Sequence, residues 1–208
     1  MNLINLKKKI MRYDIIIFDL DNTIYSKKNY DDAAIFYISK FISKNTDLTL
    51  PSIFSELIKI KNQKKTQLLF NTFFKNKKVN SKKKIILKCV LLFQNFECKN
   101  LKKCKSLRLL IKNLFRHKLL FLVTNGNLNR QKNKIKHLGI KKYFKKIFIL
   151  DDIKKKAKPS VQDVKFLVRF IRKHKDLKTT YVGDDLNTDK KFAKNLKIDY
   201  IFFKFSHV

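Results

Sequence analysis

The stretch YDIIIFDLDNTIY, residues 13–25, decides how this chain folds. Its centre, IIIF, is an uninterrupted apolar run with polar residues on both sides. That is the pattern of a short strand buried on both faces, as in a parallel sheet. Two aspartates, Asp19 and Asp21, follow with one residue between them. Alternate residues leaving a strand project the same way, so both carboxylates reach one face while Leu20 packs behind. Carboxylates at the exit of a buried strand stand where a ligand can meet them.

Working outward, residues 27–118 carry almost no strand signal and no glycine. DDAAIFYISKFISKN (31–45), PSIFSELIKI (51–60, proline in its first turn), KKKIILKCVLLFQNFE (82–97) and LRLLIKNLFRHK (107–118) place apolar residues at helical spacing, and four or five helices are predicted there. Beyond residue 118 strand and helix alternate: LLFLVTN, RQKNKIKHLGI stopped by Gly139, KIFILDD, VQDVKFLVRFIRKHK, TTYVGDD, KKFAKNL and DYIFFKF. This alternation predicts right-handed crossovers and a parallel sheet, hence an α/β core whose first strand is separated from the others by an inserted helical block. The domain reading is a core of 11–26 and 119–208 and a helical block of 27–118, whose last helix packs on the core. Residues 1–10 read as a dispensable extension or a start-site artefact.

Composition bounds the function. The 208 residues and 44% apolar content suit a domain with a sizeable core. The formal charge of +34 is of the kind that draws polyanions. The excess is nearly all lysine, spread along the chain, with arginine only at Arg12, Arg108, Arg116, Arg130, Arg169 and Arg172, whereas phosphate-gripping surfaces favour arginine. Lysine, asparagine, isoleucine and phenylalanine are abundant together, as an AT-rich coding sequence would produce. The lysine runs at 82–84 and 154–156 read as solvated faces. A nucleic-acid-binding role remains the competing reading, but no binding module accompanies the charge. Cys89, Cys98 and Cys104 lack paired spacing and a histidine set, which argues against zinc and for reduced, partly buried thiols. No apolar stretch is long enough to span a membrane, so no membrane partner and a cytoplasmic location are expected. Nothing in the sequence sets an oligomeric state.

The other strand ends carry polar groups too. FLVTN leads to Thr124, Asn125 and Gly126, FILDD ends in Asp151 and Asp152, and YVGDD ends in Asp184 and Asp185. In an open parallel sheet all of these face the C-terminal edge, where such folds bind ligands. Taken singly, each is an ordinary cap or turn residue. Together and in order, DLDNT (19–23), TNG (124–126), KP (158–159) and GDDLNTD (183–189) resemble the four motifs of the haloacid dehalogenase superfamily, in its branch with a helical cap inserted after the first motif. One departure stands out: that branch has glycine after the helix following the fourth motif, where this chain has Lys197.

The resemblance implies a Rossmann-like sheet of about five main strands and phosphoryl-transfer chemistry. Asp19 would be the nucleophile that forms an aspartyl-phosphate, Asp21 the general acid and then base, and Lys158 a positive charge beside the nucleophile. Thr124, Asn125 and Gly126 would bind the phosphoryl group. Such a crowd of acids needs a hard cation, since each like-charged pair at about 4 Å costs roughly 4 kcal/mol at an effective dielectric near 20. Mg²⁺ is implied, held by Asp19, the Asp21 carbonyl and Asp184, with Asp189 and Asp185 in support. Crowding is expected to raise the pKa of Asp21 so that it carries a proton at neutral pH. Dehalogenases of the superfamily lack the second aspartate, so Asp21 points to a phosphatase acting on a small phosphorylated metabolite, a phosphosugar or nucleoside monophosphate, with a phosphomutase or phosphonate hydrolase as the alternative. The helical block would set substrate choice, and Tyr25 and Tyr30 would line the entrance or pack at the domain junction.

Overall fold

In the computed structural model the described residues are 1–63, 68–77, 83–98, 105–150 and 157–205. They form two compact units: one of Met1–Lys27 with Asn100–Val208, the other of Lys28–Lys99.

The first unit begins with helix α1 (Leu3–Ile10), capped by the Asn2 side chain, which accepts from the Asn5 amide at 2.9 Å. Leu6 and Ile10 of this helix are fully buried, so the segment read as an extension contributes to a core. Strand β1 (Ile15–Phe18) follows, with all four side chains inaccessible to solvent. Burying each is worth roughly 1.5–3 kcal/mol, which fixes this strand in the middle of the molecule.

Helix α2 (Lys27–Ser43), α3 (Leu50–Asn62, entered through Pro51), α4 (Leu69–Asn76) and α5 (Lys83–Gln94) build the second unit. Its core joins Ile35, Ile38, Ile53, Leu57, Phe73 and Cys89, all inaccessible to solvent, with other side chains of the same four helices. Burial pushes the Cys89 thiol up to about 12, which makes it an inert packing group. Tyr30 is fully buried, and its hydroxyl donates to the Phe96 carbonyl at 2.6 Å within this unit, which is the packing role and not the entrance role. No helix among the described residues is long and apolar enough to cross a membrane.

The chain returns through α6 (Lys105–Leu114) to β2 (Leu119–Asn125), then α7 (Leu128–Leu138), β3 (Lys146–Leu150), α8 (Lys165–Lys173), β4 (Thr179–Gly183), α9 (Asp189–Leu196) and β5 (Asp199–Phe202). Every strand pair is parallel, and the order is β3-β2-β1-β4-β5. The α/β, Rossmann-like sheet predicted from the alternation is therefore present. β1 pairs with β2 on one side (Phe18 opposite Leu122) and β4 on the other (Phe18 opposite Val182), so the strand order reverses around it. A crevice outside the C-terminal edge at that point is where doubly wound sheets hold ligands.

Ile15 and Ile17 pack with Phe121, Val123, Tyr181 and Phe192 on one face of the sheet. Helix α7 ends at Gly139 (φ 63°) and α9 at Lys197 (φ 57°, ψ 45°). Lys197 thus adopts the left-handed turn that its place in the sequence demanded, despite carrying a Cβ.

Candidate active site

Asp19 lies one residue beyond β1, its amide donating to the Val182 carbonyl at 2.9 Å, so the ladder to β4 continues up to the carboxylate. Only 5% of the residue is exposed. Its Oδ1 accepts from Lys158 Nζ at 2.6 Å. Burial drives the Asp19 pKa upward, the Lys158 charge opposes this, and the Asp189 charge adds to it.

Lys158 precedes Pro159 and is itself almost inaccessible. Its backbone is gripped twice by Asn125: the Lys158 amide donates to Asn125 Oδ1 at 2.9 Å, and Asn125 Nδ2 donates to the Lys158 carbonyl at 3.3 Å. The amide side chain expected to hold a phosphoryl oxygen thus positions the lysine. Burial disfavours the ammonium, but Asp19 and Asp189 together raise its pKa, so the charge persists.

Asp189 opens α9 and is 1% exposed. Its Oδ1 accepts from Lys158 at 2.6 Å and its Oδ2 from the Asp185 amide at 3.2 Å. Gly183 makes this possible, because a Cβ there would collide with the Asp189 carboxylate. Asp185 instead turns its Oδ1 to the amides of Asn187 and Thr188, at 2.7 and 2.9 Å, and caps the turn that starts the helix. The sequence left these two aspartates unseparated; their hydrogen bonds divide them. Asp184 is held by the Asn22 side chain, and its pKa is pushed up to about 6 by burial and by the Asp189 charge. Asn22 adopts φ 57° in the DLDNT turn, a conformation asparagine tolerates, and the sequence reading gave it no role.

Asp21 departs from expectation. Its carboxylate accepts from Lys134 Nζ at 2.8 and 3.0 Å, from Gln131 Nε2 at 3.3 Å and from the Tyr25 hydroxyl. Burial alone would raise its pKa, but the charges of Lys134 and Lys27 overcome that and hold it at about 2. In this geometry Asp21 is an ion-paired carboxylate, because its strongest charged neighbours are cations. Lys134 and Gln131 escaped the sequence reading, although the signal existed: with Ile135 and Leu138 they form the buried face of α7, at positions where apolar residues are the rule.

Thr124 ends β2 with 1% exposure, and its Oγ1 accepts from Gln131 Nε2 at 2.8 Å. Gly126 (φ 132°) makes the turn beyond it, its amide donating to the Leu150 carbonyl at 2.8 Å. Asp151, Asp152 and Cys104 lie outside the described residues, as do the lysines at 154–156 and Lys82. Cys89 and Cys98 are both buried.

Asp19, Asp184 and Asp189 each offer a carboxylate oxygen, all within 4.8 Å of one another. The donor set is hard oxygen, and the burial and neighbouring negative charge that raise Asp19 and Asp184 are what a divalent cation would offset. Asp189 already spends both oxygens on Lys158 and Asp185, which leaves Asp19 and Asp184 as the carboxylates suited to a metal.

A five-stranded parallel sheet carrying an aspartate, a lysine and further acids at one edge defines a doubly wound α/β protein with a polar site at the C-terminal rim of its sheet. The model of the haloacid dehalogenase-like hydrolases matches residues 13–197, and the chain belongs to that family. No curated protein matches its sequence. Among solved structures it is similar to the HAD-hydrolase YfnB of Bacillus subtilis, described as bound to magnesium (21% identity, TM-score 0.63, 92% of this chain and 87% of that one). A candidate phosphatase of Clostridium difficile aligns at 20% identity and TM-score 0.61 over 92% and 85% of the two chains. A candidate β-phosphoglucomutase of Thermotoga maritima aligns at 15% and 0.62 over 94% and 87%.

Proposed function

We propose that this hydrolase cleaves phosphomonoesters of small metabolites, a phosphosugar or nucleoside monophosphate, with Mg²⁺ and through a phosphorylated aspartate. The observation that carries the reading is the buried Lys158 ammonium set between Asp19 and Asp189, with Asp184 beside them and Asp21 two residues on. A buried carboxylate whose rotation is fixed by a lysine is placed to attack, and phosphoryl transfer needs little more from a protein than positioning and charge neutralisation.

In the proposed sequence an Asp19 oxygen bonds to phosphorus in line with the ester oxygen. The P–O bond to the leaving group breaks, and that oxygen takes a proton from Asp21. Asp21 then removes a proton from water as the water attacks the aspartyl-phosphate, which regenerates Asp19 and frees inorganic phosphate. The lysine offsets the negative charge that Asp19 and the phosphate bring together. Mg²⁺ held by Asp19, the Asp21 carbonyl and Asp184 would supply further charge neutralisation. Asp21 begins as a carboxylate paired with Lys134; it first takes a proton from a phosphate ester that enters as its monoanion, or from water, and the negative charge of the bound phosphate favours that protonated form. Thr124 and Gly126 stand at the same edge for the phosphoryl oxygens.

Asp19→Asn keeps the size of the side chain and removes the nucleophile. Hydrolysis of p-nitrophenyl phosphate in Mg²⁺ is expected to fall by about a thousandfold or more. Turnover by the variant equal to the parent's would refute the assignment. Product analysis on the best metabolite separates hydrolysis, which releases inorganic phosphate, from a mutase, which moves the phosphate within the sugar.

A further inference from the structure

A lysine ammonium has three hydrogens to place, and Lys158 places all of them. Two go to Asp19 and Asp189, and the third goes to the hydroxyl of Tyr181 at 2.8 Å. The carboxylates are accounted for by the chemistry above; the tyrosine is not. Tyr181 sits in the interior of β4, fully buried, with its ring edge-on to Phe192 at 5.4 Å. A tyrosine there has to bring its hydroxyl to a partner inside the protein.

The direction of each hydrogen bond follows from what the groups can do. An ammonium cannot accept, so Lys158 donates and the tyrosine oxygen accepts. The phenolic hydrogen then points elsewhere, and its acceptors are the Val123 carbonyl at 3.1 Å and Asp189 Oδ1 at 3.3 Å. Val123 belongs to β2 and Tyr181 to β4, so the hydroxyl is tethered across the strand between them, the one that leads to Asp19.

We propose that Tyr181 is a positioning residue for phosphoryl transfer: its hydroxyl, anchored on Val123, holds the Lys158 ammonium in the orientation that fixes the Asp19 carboxylate. This rests on Asp19 being the nucleophile. Lysine has a long flexible stem and no preferred fork geometry, so two acceptors leave it a choice of rotations. A third acceptor removes that choice. With phenylalanine in place of Tyr181, one N–H of a buried cation loses its partner, and the ammonium turns to find another or admits a water, loosening its hold on Asp19.

The test uses the full chain with Mg²⁺ and p-nitrophenyl phosphate. Tyr181→Phe conserves the ring and is expected to lower kcat about tenfold while KM stays within about twofold, since the lost effect belongs to the transition state. In parallel, proton–nitrogen correlation spectra of ¹⁵N-lysine-labelled protein should show a slowly exchanging Lys158 ammonium, assigned by its disappearance in Lys158→Arg. That signal should broaden away in Tyr181→Phe while the β4 amides keep their shifts. An unchanged kcat, an unchanged ammonium signal, or a fall in kcat matched by displaced β4 amides and a rising KM overturns the proposal. If the parent protein hydrolyses no phosphate ester, the functional reading fails, and the ammonium signal alone still decides whether Tyr181 anchors Lys158.

Discussion

At the scale of single residues, the site is organised by which cation each aspartate meets. Asp19 meets Lys158, and Asp21 meets Lys134. The pair Asp21–Lys134 carries a pH signature of its own. The folded-state pKa of Asp21, about 2, lies below the ordinary aspartate value of 3.8, so its contribution to stability is fully present above about pH 4 and is lost as pH falls through about 2. Lys134→Met removes the cation and leaves the carboxylate buried. Urea unfolding at pH 7 should show a loss of about 2 kcal/mol or more against the parent, with the gap narrowing as pH falls from the raised pKa of Asp21 in the variant towards about 2. A gap independent of pH would show that the loss comes from packing alone.

Several of these residues were legible before any fold was known. Asp19, Asp21 and Asp184 stand at strand exits, where chain direction alone predicts which edge they share, whereas Lys158 and Asp189 were singled out only by the resemblance of their short motifs. Lys134, Gln131, Tyr181 and Asn22 were not found, because each looks like filler in a helix, strand or turn, and its importance lies in a partner far away in sequence. The raised Asp21 pKa failed for the same reason: sequence spacing counted the nearby acids but not the lysine arriving from α7.

At the scale of elements, the strand ranges follow the apolar runs closely, with LLFLVTN matching β2 residue for residue. Buried parallel strands leave so plain a trace because both faces must be apolar. Helix α4 was the element not singled out. It is only eight residues long, and its buried Leu69, Phe70, Phe73 and Phe74 form too short a pattern to stand out as a periodicity. Residues 1–10 read as dispensable because Met11 stands just before the first strand, and the burial of Leu6 and Ile10 in α1 appears only in three dimensions.

The C-terminal turn of α9 offers a test of local strain. Lys197 holds φ 57° where glycine would rest without a clash. Lys197→Gly should raise stability by about 0.5–1 kcal/mol, the relief at the turn outweighing the extra freedom of the unfolded chain. Denaturant unfolding with a shifted midpoint and an unchanged slope would show it. A lower midpoint would mean that the lysine side chain does more for this turn than its backbone costs.

At the scale of the whole molecule, a protein of formal charge +34 gathers three acids around one buried lysine at one sheet edge. Burial and the Asp189 charge push the Asp184 pKa up to about 6, above the ordinary aspartate value of 3.8, and burial moves Asp19 in the same direction. The stability that the neutral form of Asp184 contributes is complete below about pH 4 and disappears as pH rises through about 6. A divalent cation acts oppositely, since it binds the ionised pair. Added Mg²⁺ should therefore raise the melting temperature more at pH 8 than at pH 5, as read by thermal unfolding with and without chelator. An equal or larger rise at pH 5 would argue against a site made of Asp19 and Asp184.

The sheet order also bears on how the chain comes off the ribosome. β1 is synthesised first among the strands, yet its two neighbours follow about 100 and about 160 residues later. At roughly 5–20 residues per second, an IIIF segment waits on the order of ten seconds or more before both its edges are covered. During that interval it is a sticky strand without a sheet, so a growing polypeptide stalled ahead of β4 should be the form that a nascent-chain chaperone grips most tightly.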